Sequence, residues 1–172
     1  TNPTKTTYFV GEELSTNGLS IKAHYNNGSS KDVVPTKLSG YDMSKAGDYE
    51  VEISYTEGLI TRTDTFDIYV NPVVAMSIAL SGTYKTSYFV GDTFSADGLI
   101  VTAAYNFGNP KVVMPTLIDG YDMTETGEQT VSVHYGDLVA SYKIIVNEVP
   151  IVLTSITLSG NYKTEFEYGD EF

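Results

Sequence analysis

The sequence predicts an all-β chain of tandem two-sheet sandwiches, and three observations carry that prediction. The composition suits a pleated surface: 17 Val, 11 Ile and 21 Thr among 172 residues, with 14 Tyr, 7 Phe and no Trp, are dominated by side chains that pack well on strands. Apolar residues alternate with polar ones over short runs, and no stretch sustains a helical period. The chain also repeats itself.

Residues 5–55 laid on 85–135 match at 24 of 51 positions without a gap. Tyr8-Phe9-Val10-Gly11 returns as Tyr88-Phe89-Val90-Gly91, and Gly40-Tyr41-Asp42-Met43 as Gly120-Tyr121-Asp122-Met123. Such self-similarity is the signature of modules strung in a row. A third copy opens at Ser155-Ile156, matching Ser77-Ile78, and runs to Phe172 opposite Phe94. We therefore expect one module over residues 1–71 whose first strand is missing or supplied elsewhere, a whole one over 76–147, and the start of a third over 153–172. The connectors, 71–75 and 147–152, are short and each holds an Asn and a Pro. Proline removes a ladder donor and holds the chain extended, so these read as stiff junctions.

The elements of one module follow in order. Met76–Ser81 and Tyr88–Val90 are short strands. Leu99, Val101, Ala103 and Tyr105 alternate, as Leu19, Ile21, Ala23 and Tyr25 do in the first copy. Asn106-Phe107-Gly108-Asn109 and Asn26-Asn27-Gly28-Ser29 then close hairpins, and Asn-Gly favours the positive φ angles of a tight turn. A pair interrupted by proline, Lys111–Met114 and Thr116–Ile118, precedes the last hairpin. There Val131, Val133 and Tyr135 alternate before Gly136-Asp137, and Tyr142, Ile144 and Val146 after it. Val51, Ile53 and Tyr55 with Phe66, Ile68 and Val70 form the same hairpin in the first copy, where the connection is four residues longer. We place those residues in a surface loop. About seven strands in some 70 residues need two facing sheets to bury their apolar sides.

Charge and composition narrow the function. Ten Lys+Arg against 22 Asp+Glu give a net charge of −12, a field that repels phosphate backbones and anionic membrane surfaces. Nucleic-acid partners and membrane insertion are not expected, and no apolar run reaches the roughly 18 residues of a membrane helix. The absence of Cys removes disulfides, thiolate metal sites and thiol nucleophiles. Thr1–Tyr8 is polar and no initiator Met is present, so we read the chain as an excised or mature segment.

The order Tyr88-x-Val90-Gly91-Asp92-x-Phe94, Gly98-Leu99-x-Val101-x-Ala103-x-Tyr105-x-x-Gly108, Gly120-Tyr121-Asp122, Val131-x-Val133-x-Tyr135, Tyr142-x-Ile144-x-Val146 resembles the bacterial immunoglobulin-like domain, group 3. The same order runs from Tyr8 to Val70. The resemblance implies immunoglobulin-like β-sandwiches in tandem, within secreted or wall-anchored proteins of Gram-positive bacteria, extracellular and held by packing alone. There such domains serve as stalk spacers between neighbouring Ig-like domains, as adhesion modules that bind a host glycan or surface protein, or as accessory modules of carbohydrate-active enzymes.

Chemistry-bearing residues are sparse. No arrangement of nucleophile and base stands out, so no catalytic residue, cofactor or metal ligand is assigned. His24 and His134 lie on strands, opposite Ala104 and Ser54 of the other copy, and read as solvent-facing. Asp42, Asp122, Asp92 and Asp170 recur beside glycines and read as turn caps; calcium would need six to eight converging oxygens, with Asp122 and Glu148 the nearest candidates. Lys85 and Lys163, with Lys5 as counterpart, read as exposed edge residues rather than partners in a lysine isopeptide crosslink. Most tyrosines, including Tyr105, Tyr135 and Tyr142, fall at inward positions and should pack in the core with a hydroxyl at the rim. Tyr41 and Tyr121, in a turn that opens on glycine, are the candidate ligand contacts.

Overall fold

The computed structural model describes residues 1–161 and 163–171; Tyr162 and Phe172, which the sequence assigns to the third copy, lie outside the described residues. Thirteen strands and no helix are found among them. In the second repeat β7 (Ala75–Gly82), β9 (Leu99–Tyr105) and β10 (Lys111–Val113) form one sheet in the order β10-β9-β7. Strands β8 (Ser87–Phe89), β11 (Leu117–Asp119), β12 (Gly127–Tyr135) and β13 (Leu138–Asn147) form the other, in the order β11-β12-β13-β8. The seven strands expected are the seven found. All pairs are antiparallel except β13 with β8, where Val146 lies opposite Tyr88.

The first repeat builds the same sheet from β1 (Thr7–Phe9), β4 (Lys37–Ser39), β5 (Gly47–Glu57) and β6 (Ile60–Asn71), in the order β1-β6-β5-β4. Its second sheet holds only β2 (Ile21–His24) and β3 (Ser30–Val33). Within this chain β2 has no neighbour in the place β7 takes beside β9, and the consequences are visible. The expected strand over 19–25 shortens to four residues, and Ile21 and Ala23 stay partly exposed where Val101 and Ala103 are 2% and 0% exposed. On that side of β2 the Thr1 ammonium donates to the Ser20 carbonyl at 2.7 Å, and the Ser20 N–H donates back to the Thr1 carbonyl at 3.1 Å.

Apart from Tyr8 and Tyr88, the clustered core residues are ones that strand alternation turns inward. Tyr88, Val131, Ile144 and Val146 cluster in the second repeat, and Tyr8, Val51, Ile53, Phe66, Ile68 and Val70 in the first. Each fully buried aliphatic side chain contributes about 1.5–3 kcal/mol of transfer free energy.

Three details differ from expectation. The four extra residues of the first repeat do not enlarge a loop. Strands β5 and β6 have 11 and 12 residues against 9 and 10 in β12 and β13, so each strand of the hairpin gains two. Gly58-Leu59 and Gly136-Asp137 close both hairpins with two residues, the glycine alone at positive φ (64° and 57°), which fits a type II′ turn matched to strand twist. Lengthening in register keeps that turn and adds ladder bonds, which a four-residue bulge would forfeit.

Asn26-Asn27-Gly28 is the second. Gly28 has φ +82°, and among the described residues none but glycine has positive φ, so Asn27 is not in the tight Asn-Gly turn. The Gly28 N–H donates to the Tyr25 carbonyl at 3.0 Å, and the Tyr25 N–H to the Ser29 carbonyl at 3.0 Å, the pattern of a three-residue loop ending in a glycine bulge.

Tyr142 departs from the expected rim position. Its hydroxyl is buried without a hydrogen-bond partner, and its ring meets Tyr84 edge-on at 4.7 Å. Burial, then the neighbouring Tyr88, Tyr84 and Tyr121, pushes its pKa up to about 12 from 10.0. An acid whose folded pKa is raised keeps its contribution below the unfolded value and loses it as pH climbs through the folded one. The second repeat should therefore weaken between pH 10 and about 12. The first repeat has Phe66 at this position. Tyr142→Phe, which removes an unsatisfied buried hydroxyl, should be neutral or stabilising by up to about 1 kcal/mol, and should flatten the alkaline loss. Urea unfolding of both proteins on either side of pH 10 measures this; a Tyr142→Phe protein that is markedly less stable at neutral pH would mean the hydroxyl has a partner.

Candidate functional site

The recurring motifs fold into recurring local devices. Ahead of β1, β8 and in the third copy, a lysine reaches the carboxylate seven residues on: Lys5 to Glu12 at 2.8 Å, Lys85 to Asp92 at 3.0 Å, and Lys163 to Asp170. The same ammonium lies over the ring three residues on, 4.8 Å from Tyr8, 4.3 Å from Tyr88 and 5.1 Å from Phe166. Each carboxylate also accepts a backbone N–H, from Phe9 at 2.7 Å, Phe89 at 3.1 Å and Glu167 at 2.9 Å. These contacts hold all three carboxyl groups below the usual range; the Lys5 and Lys163 ammoniums weigh most at Glu12 and Asp170, the Phe89 N–H at Asp92. Side chains of Lys5 and Lys85 are 46% and 51% exposed, so they belong to an exposed clasp around a turn. An isopeptide needs a buried amine; this is a solvated ion pair, screened by water and salt.

Asp42 and Asp122 cap turns. The Ser44 and Thr124 N–H groups donate to their Oδ1 atoms at 2.9 and 2.8 Å, and the hydroxyls of the same residues donate at 2.5 and 2.6 Å. Those hydroxyls, first among the causes, lower both carboxyl pKa values. Among the described residues no three His, Cys, Asp or Glu gather as metal ligands would. Glu148 lies exposed in the second connector.

Among the described residues neither histidine hydrogen-bonds a nucleophile. His24 is exposed on β2 beside Ser30 of β3. His134 points outward from β12, its Nε2 3.0 Å from Asp119 Oδ1, and the side chain is 26% exposed. Tyr41 and Tyr121 both lean on their cores. The Tyr121 ring stacks on Phe94 at 4.0 Å and 16°, and Phe94 in turn on Tyr88 at 5.9 Å. Both tyrosines remain partly exposed. The Tyr105 and Tyr135 hydroxyls share a hydrogen bond at 3.3 Å, which raises the Tyr105 pKa.

Sequence reasoning missed the contact between the repeats. Phe9 and Phe107 stack with centroids 4.9 Å apart and planes 7° from parallel. Beside them a cleft of 280 Å³ is lined by Val10, Gly11, Val73, Tyr105, Phe107, Gly108 and Lys111. The signal was a phenylalanine in an otherwise polar turn, where the first copy has Asn27.

Two sandwich-type repeats with these turns are what the comparison with known families recognises. The bacterial Ig-like domain (group 3) family matches residues 1–70 and 82–147. The chain belongs to this family. Pectate lyase L of Thermoclostridium stercorarium is 28% identical over 168 residues, 96% of this chain and 12% of that protein. An exo-β-1,6-galactobiohydrolase of Bifidobacterium longum subsp. longum is 28% identical over 101 residues, 55% of this chain and 7% of that protein. This Ig-like chain thus spans a small part of each relative's length. One solution structure of a shorter protein matches at 27% identity over 49% of this chain and 100% of its own, with a TM-score of 0.28.

Proposed function

We propose that these Ig-like repeats are non-catalytic spacer modules of a longer extracellular protein, bounded at 1–71 and 76–147 with a third beginning at 153, and of the accessory kind that accompanies carbohydrate-active enzymes. The observation that carries this reading is the alignment of 96% of the chain to 12% of a pectate lyase, joined to recurring lysine–carboxylate and aspartate clusters that hold turns. A charge of −12 keeps such a surface hydrated and soluble. Adhesion to a glycan or surface protein is the competing reading, and Tyr41 and Tyr121, partly exposed at the Gly-Tyr-Asp turn, are where sugar stacking would occur.

The two readings part on one experiment. The chain is presented to a glycan array and to polygalacturonan and galactan, with binding and cleavage both followed. The spacer reading expects no saturable binding and no cleavage. Saturable binding to a defined glycan, lost in Tyr41→Ala or Tyr121→Ala proteins that remain folded, would replace it with the adhesion reading.

A further inference from the structure

The two repeats meet through a built joint. At its start Asn71, the last residue of β6, donates from Nδ2 to the Tyr8 carbonyl at 2.9 Å and ties the connector to the first repeat. At its end Asn106, from the turn after β9, takes hold of the connector three times. Its Nδ2 donates to the Pro72 carbonyl at 3.1 Å, its Oδ1 accepts the Val74 N–H at 2.9 Å, and its own N–H donates to the Val74 carbonyl at 3.0 Å. Between these anchors lie only Pro72, Val73 and Val74, a proline of fixed φ and two side chains stiff at χ1. The Phe9–Phe107 stack then ties the end of β1 directly to the hairpin tip of the second repeat.

From this geometry we infer that the joint is a lock: the face Phe9-Val10-Gly11 is a docking surface for the Asn106-Phe107-Gly108 tip of the next repeat, and together with the Asn106 clamp it sets one angle between them. Without such contacts, motion between consecutive modules is the default. The clamp and the stack have different reach. Asn26 stands where Asn106 does, so the clamping residue recurs, whereas Asn27 replaces Phe107 and the ring pair is particular to this joint. The receiving face also recurs: Phe89 is 45% exposed, and Asn147 holds the Tyr88 carbonyl at 3.0 Å as Asn71 holds that of Tyr8. The contacts named here are neutral, so screening should leave them intact. A flexible tether would serve as a spacer equally well, so failure of the lock would leave the spacer reading standing.

The chain has no cysteine, so spin labels can be placed at will. Labels at Glu50→Cys on β5 and Ser141→Cys on β13, both exposed, report the separation of the repeats by pulsed electron resonance. A single narrow distance distribution is expected, unchanged at about 1 M salt. In an Asn106→Ala/Phe107→Ala protein the distribution should widen at least about two-fold as free hinging returns. Phe9→Ala, made from the other side of the stack, should widen it in the same direction while hydrogen exchange of β12 and β13 stays that of the parent. A parent distribution already as broad as that of the double variant, or a double variant as narrow as the parent, would overturn the lock.

Discussion

Gly98→Ala should cost the second repeat about 3 kcal/mol or more, because two penalties add at one position. Gly98 has φ +78°, a conformation that charges a residue with a Cβ about 1–2 kcal/mol. A Cβ there would also stand 2.0 Å from the Thr83 carbonyl oxygen, and one on Gly82, φ +97°, 2.1 Å from the Gly98 oxygen. Both obstacles are backbone, so no side-chain rotation relieves them. The crowding has a topological cause. Strand β7 belongs to one sheet and β8 to the other, and the chain crosses between them at 83–86, so Gly82 and Gly98 let two backbones nearly touch at the crossing. Gly91→Ala separates the two penalties: φ is +86° and nothing lies within 4 Å, so only the conformational part, about 1–2 kcal/mol, is expected. In a domain of this size 3 kcal/mol corresponds to a fall in Tm of about 12–24 °C. Hydrogen exchange read separately for β12–β13 and β5–β6 would localise the loss to the second repeat. A Gly98→Ala protein no weaker than Gly91→Ala would show that the crossing has room to move.

Tyr88→Ala should be as damaging, at about 3–5 kcal/mol, for a different reason. Tyr88 is 1% exposed, packs on Phe94, and carries Lys85 over its face. Its hydroxyl lies 3.2 Å from the Lys85 carbonyl and 3.0 Å from that of Ser95. Tyr8 repeats this with Lys5 and Ser15. The ring fills the space between the sheets, while the hydroxyl pins the loop that follows β8. Tyr88→Phe keeps the first role and removes the second, so a loss of about 1–2 kcal/mol is expected. Denaturant unfolding of the two variants gives the split directly. Equal losses would mean that the ring contributes little beyond its hydroxyl.

These two positions also show how legible the fold is. Tyr8 and Tyr88 belong to a four-residue motif that the repeat displays at once, yet the alternation rule draws attention to Tyr105, Tyr135 and Tyr142 instead. Period 2 says which side of a strand a residue faces, and β8 is only three residues long, too short to show a period. Likewise Gly98 is visible as a recurring glycine, but the carbonyl it faces comes from a loop 15 residues earlier, and nothing local reveals that approach.

The lysine clasp lies at the opposite extreme. It forms in the third copy, where Lys163, Glu167 and Asp170 make it without any strand around them. All its partners lie within seven residues, and Gly169 supplies the positive φ the turn requires, as Gly11 and Gly91 do. Local chemistry suffices there, so the motif alone specifies it.

The division between the two sources of information follows sequence distance. Strand alternation, glycine turns, the repeat and the family order are encoded in neighbouring residues, so the all-β class, the seven-strand plan of the second repeat and the family follow from the chain read as text. Contacts between residues far apart in sequence needed the folded structure. The longer hairpin of the first repeat was settled by ladder register, the unpartnered hydroxyl of Tyr142 by what packs over it, and the joint by a phenylalanine meeting a ring 98 positions away. Each of these depends on which surfaces meet, and burial or exposure of a side chain has no value until they do.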